Sequence, residues 1–493
     1  MTSRRSKPLR NLIAHPAASD VAITGIALDS RQVVKGGLFA ALKGHNANGA
    51  AFIAAAIKAG ASAILHDADQ EVDLPDSVIG LPVVNARKAF SHLAARWFDA
   101  QPQSLVAVTG TNGKSSTVDL FAQLARLAGF NAASIGTLGV QAAGGAPSTG
   151  LTTPDTVRFQ EILAQLAHDG ITHAALEASS HGLDQHRLDG AQLLAAGFSN
   201  ITRDHLDYHG DFDSYLYAKM RLIGEVLPPR GRAVINMDGT HAQAFVDVAW
   251  ARGLPLTLVG HRGRDLQILL RQPQGWGQFV ALRAGAKTYQ LRLPLIGGFQ
   301  LDNAVLAAGL LNACGVPWED ILPHFEALQP VAGRLESVTE TSSPVQVIVD
   351  YAHTPDALSS ALKALRPHTI GQLHVVFGCG GDRDTGKRAL MGEAANALAD
   401  TIIVTDDNPR SEDPAAIRAQ VLAGAPTAGE IEGRERAIGA AIGAAQPGDV
   451  VLLAGKGHET GQNVGGKITP FDDRQVAREV LKRARNTSME VRA

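Results

Sequence analysis

Short apolar runs alternate along most of this chain with longer segments whose apolar positions recur at helical spacing. In the first hundred residues, 38–42 and 63–65 read as strands, and 52–59 and 89–98 as amphipathic helices. The run ending at residue 109 precedes a helical segment from about 115 to 128, which Gly129 is placed to terminate. Strand-like and helix-like segments then keep alternating, as in parallel sheets wrapped by helices, so the expected fold class is α/β. Residues 250–295 favour strands alone and predict an antiparallel edge. Beyond residue 334, four apolar runs at 345–349, 373–377, 401–404 and 450–453 each end in a polar cluster. Ligands of open α/β sheets bind beyond the carboxyl ends of the strands, so four such clusters predict a binding edge. Punctuation at Gln101-Pro102-Gln103 and Val331-Ala332-Gly333-Arg334 divides the chain into expected domains 1–102, 103–333 and 334–493. No internal repeat or low-complexity tract interrupts them.

The most informative junction is Val106-Ala107-Val108-Thr109-Gly110-Thr111-Asn112-Gly113-Lys114-Ser115-Ser116. A strand that runs into a glycine-bracketed loop and then a helix offers backbone N–H groups and a helix dipole to phosphate. Lys114 suits the outer phosphates, and the Ser115 hydroxyl suits a Mg²⁺ ion. This predicts nucleotide binding.

Composition narrows the setting. With 493 residues the chain has room for about three domains. Hydrophobic residues make up 45% and charged residues 19%, as in ordinary globular proteins. A net charge of −3 gives no global attraction to nucleic acid. Cys314 and Cys379 cannot build a disulfide framework, which fits a reducing, cytoplasmic setting. The basic start (Arg4, Arg5, Lys7, Arg10) lacks the apolar core of a signal peptide, and no run is long enough to span a membrane.

Glu177, His205 and His209 invite a metal reading. The two histidines have the spacing of zinc ligands on one helical face. Neither cysteine is near in sequence, however, and the neighbours are hard carboxylates and hydroxyls, which favours Mg²⁺ on Glu177 and His205. His209 receives no role. Lys219 follows Tyr215-Leu216-Tyr217-Ala218 on a predicted helix. An ammonium cannot ligate a metal, so Lys219 could do so only after its amine had reacted with CO₂.

Five motifs, in this order, resemble those of the Mur ligase family: Thr109-Gly110-Thr111-Asn112-Gly113-Lys114, Glu177-Ala178-Ser179-Ser180-His181-Gly182-Leu183, Asp204-His205-Leu206-Asp207-Tyr208-His209, Asp350-Tyr351-Ala352-His353-Thr354-Pro355 and Gly378-Cys379-Gly380-Gly381-Asp382-Arg383-Asp384. With flanking matches the resemblance extends from Leu28 to Glu459, and it is strongest to the branch that makes UDP-N-acetylmuramoyl-tripeptides. Ser115-Ser116 stands where the family often has Thr-Thr, and Gln300 where Asn is common. The resemblance implies a central P-loop ATPase-type sheet flanked by an N-terminal UDP-binding α/β domain and a C-terminal Rossmann-like α/β domain. It further implies a C–N bond-forming ligase of peptidoglycan precursor synthesis, acting as a monomer without nucleic acid or membrane partners.

In such an enzyme ATP converts a carboxylate to an acyl phosphate, which an amine then attacks. That chemistry needs positioning and charge neutralisation rather than covalent help. By resemblance, Gly110 to Ser116, Asn303 and Arg334 bind ATP, and Lys114, His205 and Asp350 serve catalysis together with Lys219 as a carbamate. Mg²⁺ would rest on Ser115, Glu177, His205 and that carbamate, and domain closure would complete the site and exclude water. Leu28, Ser30, His45, Asn46 and Ala47 would hold the UDP end. Thr152, Thr153, Ser179, Gln185 and Arg187 would line the peptide's approach.

Asp407-Asn408-Pro409-Arg410 resembles members that add meso-diaminopimelate rather than L-lysine, with Arg383, Gly455 and Glu459 completing the amino-acid site. Arg383 and Arg410 can grip carboxylates in bidentate fashion, and Glu459 can take an ammonium. The implied substrates are therefore UDP-N-acetylmuramoyl-L-alanyl-D-glutamate and meso-diaminopimelate. The alternatives are the same ligase using L-lysine, a folylpolyglutamate synthetase, or a nucleotide-switched binding protein without ligase activity.

Overall fold

The structure, a computed structural model, describes residues 5–44, 48–142 and 152–490, without the side chains of Asp207 and residues 484–490. It is an α/β protein containing three sheets of mainly parallel strands. Contacts group the chain into two compact units, Met1–Asp265 with Leu306–Ile321, and Leu266–Val305 with Leu322–Ala493.

The first unit contains two of these sheets. Its N-terminal sheet has four parallel strands in chain order: Ile26–Ala27, Gly37–Ala41, Ala61–Asp67 and Ile79–Val83. Successive residues of a strand point to opposite faces. Leu38, Ala40, Ala63 and Leu65 accordingly join one apolar cluster, and Phe39, Ala41 and Ile64 another.

In the second sheet of this unit, strand Ser104–Thr109 lies between His173–Glu177 and Leu193–Phe198, parallel to both. Outside them lie Ala132–Gly136 on one side, and Arg232–Asn236 and Leu256–Gly260 on the other. The chain therefore leaves Ser104–Thr109 toward one side and later returns to build the other. Strands that diverge in this way open a crevice at their carboxyl ends.

The second unit carries an antiparallel meander, Leu266–Gln274, Gly277–Ala284 and Lys287–Leu293, which bears out the strand-only reading of 250–295. Its main sheet runs Glu336–Ser337, Gln346–Asp350, Val450–Ala454, Leu373–Phe377, Thr401–Val404, Gly429–Glu430, parallel except at the first strand. Both faces are covered: Ile348, Val375, Leu452 and Ala454 pack into one cluster, and Val347, Val349, Val376, Val451 and Leu453 into the other. Two-sided burial explains why these strands read as unbroken apolar runs. The four apolar runs after residue 334 are neighbouring strands, so the polar clusters that follow them share one edge.

Candidate active site

The phosphate loop begins where strand Ser104–Thr109 ends. A Cβ on Gly110 (φ 154°) would lie 2.0 Å from Ser199 Oγ and 2.9 Å from Asn200 O, so only glycine fits this close approach. Residues after the neighbouring strand brace the loop: Asn200 O accepts from Thr111 N (2.8 Å), Ser199 Oγ donates to Asn112 O (2.7 Å), and Asn200 Oδ1 accepts from Asn112 N (3.1 Å). Gly113, at φ 84°, is the N-cap of helix Lys114–Leu127 and contributes no side chain to it. The N-cap residue therefore occupies none of the first-turn N–H groups with a side chain, and the positive end of the helix dipole faces the loop. Ser115 and Ser116 are buried in that turn.

Lys114 Nζ donates to Gly110 O (2.9 Å) and Thr111 O (2.8 Å). Lys219 Nζ donates to the same Gly110 carbonyl at 2.7 Å. Helix Phe212–Arg221, N-capped by Asp211 onto Ser214 N, places Tyr215 and Lys219 one turn apart on one face. Lys219 is 1% exposed and lies 4.5 Å above the Tyr215 ring, whose hydroxyl is 2.9 Å from Thr111 Oγ1. Burial, reinforced by Lys114, pushes the Lys219 amine well below the usual lysine range. Two lysines from distant parts of the chain therefore converge on one loop carbonyl, and burial disfavours the charged form of one of them.

Glu177 ends its strand and is 2% exposed. Thr137 holds it, with N donating to Oε1 (2.8 Å) and the hydroxyl 3.2 Å from Oε2. A Cβ on Gly136 would lie 2.1 Å from Glu177 Oε1. Gly136→Ala is therefore expected to displace the carboxylate and lower stability by about 1–3 kcal/mol, read by chemical denaturation. An unchanged midpoint would contradict the tight fit.

Among the described residues no Lys or Arg ion pair reaches Glu177, whose two carboxylate oxygens are held by Thr137. The Ser115 hydroxyl and the Glu177 carboxylate are hard oxygen donors that suit Mg²⁺, whereas His205 offers an imidazole nitrogen. Among the described residues, no group of three or more His, Cys, Asp or Glu could by itself hold a metal. His205 has φ 51° and precedes the short helix Leu206–His209 rather than lying in it. The expectation that His205 and His209 share a helical face is corrected accordingly. The His205 side chain is 48% exposed, with Nε2 3.4 Å from Asp204 Oδ2. His181 lies near both histidines, its ring centroid 5.0 Å from that of His205 and 5.6 Å from that of His209.

The residues expected along the peptide's approach come together. Arg187 Nη1 donates to Thr153 O (2.6 Å) and Nη2 to Gln185 Oε1 (2.7 Å). Thr153 Oγ1 lies 2.9 Å from Ser179 Oγ, which caps the next helix, and Thr152 Oγ1 is 3.1 Å from the Thr137 hydroxyl. Leu28 packs against the N-terminal core, and Ser30 opens a 3-10 turn capped by Asp29. His45, Asn46 and Ala47 lie outside the described residues.

In the second unit, Asn303 Nδ2 donates to Gln300 Oε1 (3.2 Å), and Gln300 Nε2 donates to Arg334 O (3.1 Å). Buried Gln300 thus connects two of the expected nucleotide residues. The Arg334 guanidinium sits 4.6 Å from the Tyr351 ring centroid. Asp350 accepts from Leu335 N (2.7 Å) and Ala352 N (2.8 Å). Burial nevertheless outweighs Arg334 and both N–H groups and raises its carboxyl to about 6.

The amino-acid cluster is held by backbone as much as by side chains. Arg410 (φ 53°) donates from Nη1 to Gly381 O (2.6 Å), while its N–H donates to Asn463 O (3.0 Å). Asp407 O accepts from Gln462 Nε2 (2.6 Å), and Pro409 is buried. Arg383 is exposed on the loop after Phe377. Gly455, at φ 111°, would place a Cβ 3.9 Å from Asp407 Oδ2. Glu459, expected to be open to an ammonium, already accepts from Lys456 Nζ (3.0 Å) and Asn408 Nδ2 (2.9 Å).

Lys456, Thr137, Gly136, Tyr215 and Asn200 are the contributors the sequence reading passed over. Gly136-Thr137 follows an apolar strand, so the rule that found the other clusters could have found it. Lys456 stands in the polar cluster after the 450–453 run, but its partner Asn408 lies 48 positions away and the Tyr215 partner Thr111 lies 104 away, pairings that no local signal marks.

Three family patterns match the chain: Mur ligase family, catalytic domain, over residues 22–98; Mur ligase middle domain over 108–311; and Mur ligase, glutamate ligase domain, over 333–457. The UDP-N-acetylmuramoyl-L-alanyl-D-glutamate–2,6-diaminopimelate ligase of Zymomonas mobilis is 48% identical over 94% of this chain and 96% of its own. The ligase of the same name from Caulobacter vibrioides is 47% identical over 95% and 97%. A solved structure of a UDP-N-acetylmuramoyl-L-alanyl-D-glutamate–2,6-diaminopimelate ligase superposes with a TM-score of 0.73 at 33% identity, covering 97% of this chain and 99% of that one.

Proposed function

The chain belongs to the Mur ligase family, and from that membership we propose that it uses ATP to join meso-diaminopimelate to the D-glutamate of UDP-N-acetylmuramoyl-L-alanyl-D-glutamate. The observation that carries this reading is the convergence of Lys114 and a buried Lys219 on the Gly110 carbonyl. A phosphate loop that only gates binding has no use for a second, desolvated amine at its base. A ligase does, if that amine takes up CO₂ and its carbamate helps to hold Mg²⁺ beside the transferring phosphoryl group.

ATP and the UDP-dipeptide are substrates in this scheme. The dipeptide's carboxylate attacks the γ-phosphorus, ADP departs, and the acyl phosphate that results loses phosphate when the incoming amine attacks its carbonyl carbon. Gly110, Thr111, Asn112, Gly113, Ser115 and Ser116 cradle the phosphates, and Lys114 neutralises them. Asn303 and Arg334 are proposed to bind ATP as well, with Asp350 orienting the loop that carries Arg334. Thr152, Thr153, Ser179, Gln185 and Arg187 are proposed to guide the peptide, and Leu28, Ser30 and residues 45–47 to hold the uridine diphosphate. Mg²⁺, if held by Ser115, Glu177, His205 and carbamylated Lys219, would supply charge neutralisation at the phosphates. We assign residues 1–102, 103–333 and 334–493 to the UDP, ATP and amino-acid functions, in a cytoplasmic enzyme. Among the described residues no helix is long and apolar enough to cross a membrane.

The amino acid is assigned by Arg410 and Arg383. Diaminopimelate brings a second carboxylate to them, whereas lysine would leave exposed Arg383 and half-buried Arg410 without that partner and forgo the charge-assisted bonds. The test is ADP release with the UDP-dipeptide and each amino acid separately. Turnover is expected with diaminopimelate, and Arg410→Ala should reduce kcat/KM for it by about a hundredfold while changing lysine use little. Equal turnover with both amino acids in the unmodified protein would sink the assignment. ADP release without any amine would point to the switch instead.

A further inference from the structure

Lys456 Nζ is fully buried, 3.0 Å from Glu459 Oε2, 3.3 Å from Asn408 Oδ1 and 3.6 Å from Asp407 Oδ1. These three partners are the acidic and amide residues proposed above to receive the amino acid. The protein thus places its own ammonium beneath the site where the ligand's ammonium was expected.

Each of the two side chains bonded to it gains an orientation. Both bonds to Glu459 end on Oε2, and the side chain stays 32% exposed, which leaves Oε1 for a ligand. Asn408 spends Oδ1 on Lys456 and on Asn463 N (3.0 Å), and Nδ2 on Glu459. Asn408 is therefore a strut of the pocket rather than a hand extended to the ligand.

Charge balance gives the arrangement a consequence for the substrate. Lys456 already brings a positive charge to Asp407 and Glu459, so a ligand ammonium placed there meets carboxylates that are partly neutralised. Diaminopimelate, with two carboxylates and two ammonium groups, is neutral overall. Lysine carries a net positive charge. A second ammonium brought beside the buried one is repelled by it, which biases the choice against the amino acid of net positive charge.

We propose that Lys456 is a specificity-determining positioning residue: it fixes Glu459 and Asn408 and fills the place a lone side-chain ammonium would claim, turning the pocket against lysine. This rests on the ligase reading above.

The experiment measures kcat/KM for meso-diaminopimelate and for L-lysine, with ATP and the UDP-dipeptide, in the full chain and in Lys456→Met. The diaminopimelate-to-lysine ratio is expected to fall at least about tenfold. The change should appear as a raised KM for diaminopimelate and a lowered KM for lysine, and Lys456→Arg should restore most of the ratio. A folded Lys456→Met with an unchanged ratio, or with equal losses in kcat for both amino acids, would overturn the proposal. Should Lys456→Met not fold, the pair is removed together, because losing both members of a buried ion pair costs less than losing one. Lys456→Met/Glu459→Gln is then compared with Glu459→Gln alone. A lower ratio in the double variant supports the role of Lys456, and equal ratios reject it. Absence of diaminopimelate-dependent ADP release in the unmodified protein would instead overturn the ligase reading.

Discussion

Replacing Lys219 by alanine is expected to lower amino-acid-dependent ADP release by about 10³-fold while leaving the fold in place. The fold should persist because removing this ammonium strands no partner: the Gly110 carbonyl keeps Lys114 as a donor at 2.9 Å. The lost residue is also one whose charge burial opposes, since its amine is pushed well below the ordinary 10.5 by burial and by Lys114. The sign follows from linkage. The unfolded chain holds the proton more tightly, so this group's contribution to stability is unfavourable at low pH and improves as pH rises from the depressed value toward 10.5.

A depressed amine is also the form that reacts with CO₂, its nitrogen bonding to carbon and releasing one proton to leave a carbamate. If that carbamate supports phosphoryl transfer, formate or acetate should enter the space left in Lys219→Ala and restore part of the activity, whereas matched chloride should not. Stripping dissolved CO₂ should slow the unmodified protein and leave the variant unaffected. A fully active Lys219→Ala would remove the residue from the mechanism.

Lys114→Ala should be at least as severe, a loss of about 10³-fold or more in ADP formation. The loop's backbone would still offer the N–H groups of the turn after Gly113, so nucleotide binding should weaken rather than vanish. What disappears is the mobile charge that must leave the Gly110 and Thr111 carbonyls for the phosphates. Small carboxylates cannot replace a cation, so no rescue is expected, and this separates the two lysines in one assay. Lys114→Arg should recover little, because a planar fork cannot follow the path of a compact ammonium between those two carbonyls. Retention of more than a tenth of the turnover in Lys114→Ala would argue against phosphate neutralisation by this residue.

Local sequence was a good guide wherever a side chain's neighbours are its chain neighbours. The apolar runs at 373–377 and 401–404 are strands with those limits, and the helix expected from about 115 to 128 runs Lys114–Leu127 with Gly129 at φ 89°. The carboxyl-end clusters could be read because two-sided burial makes a strand continuously apolar and its end abruptly polar. The error over His205 has the same origin in reverse. A four-residue spacing implies a shared face only inside a helix, and a left-handed residue at the helix entrance breaks the rule.

The residues of this chain thus determine by themselves the α/β alternation, the phosphate loop and the family, since each depends on spacing along the chain. Tertiary structure alone decides which charges meet. Whether Lys219 is a solvated surface lysine or a desolvated amine depends on Tyr215 and the Gly110 carbonyl closing over it. Whether Glu459 is free or already engaged depends on Lys456 beneath it. Desolvation and Coulomb energies are set by distances through space, and those distances do not exist until the chain has folded.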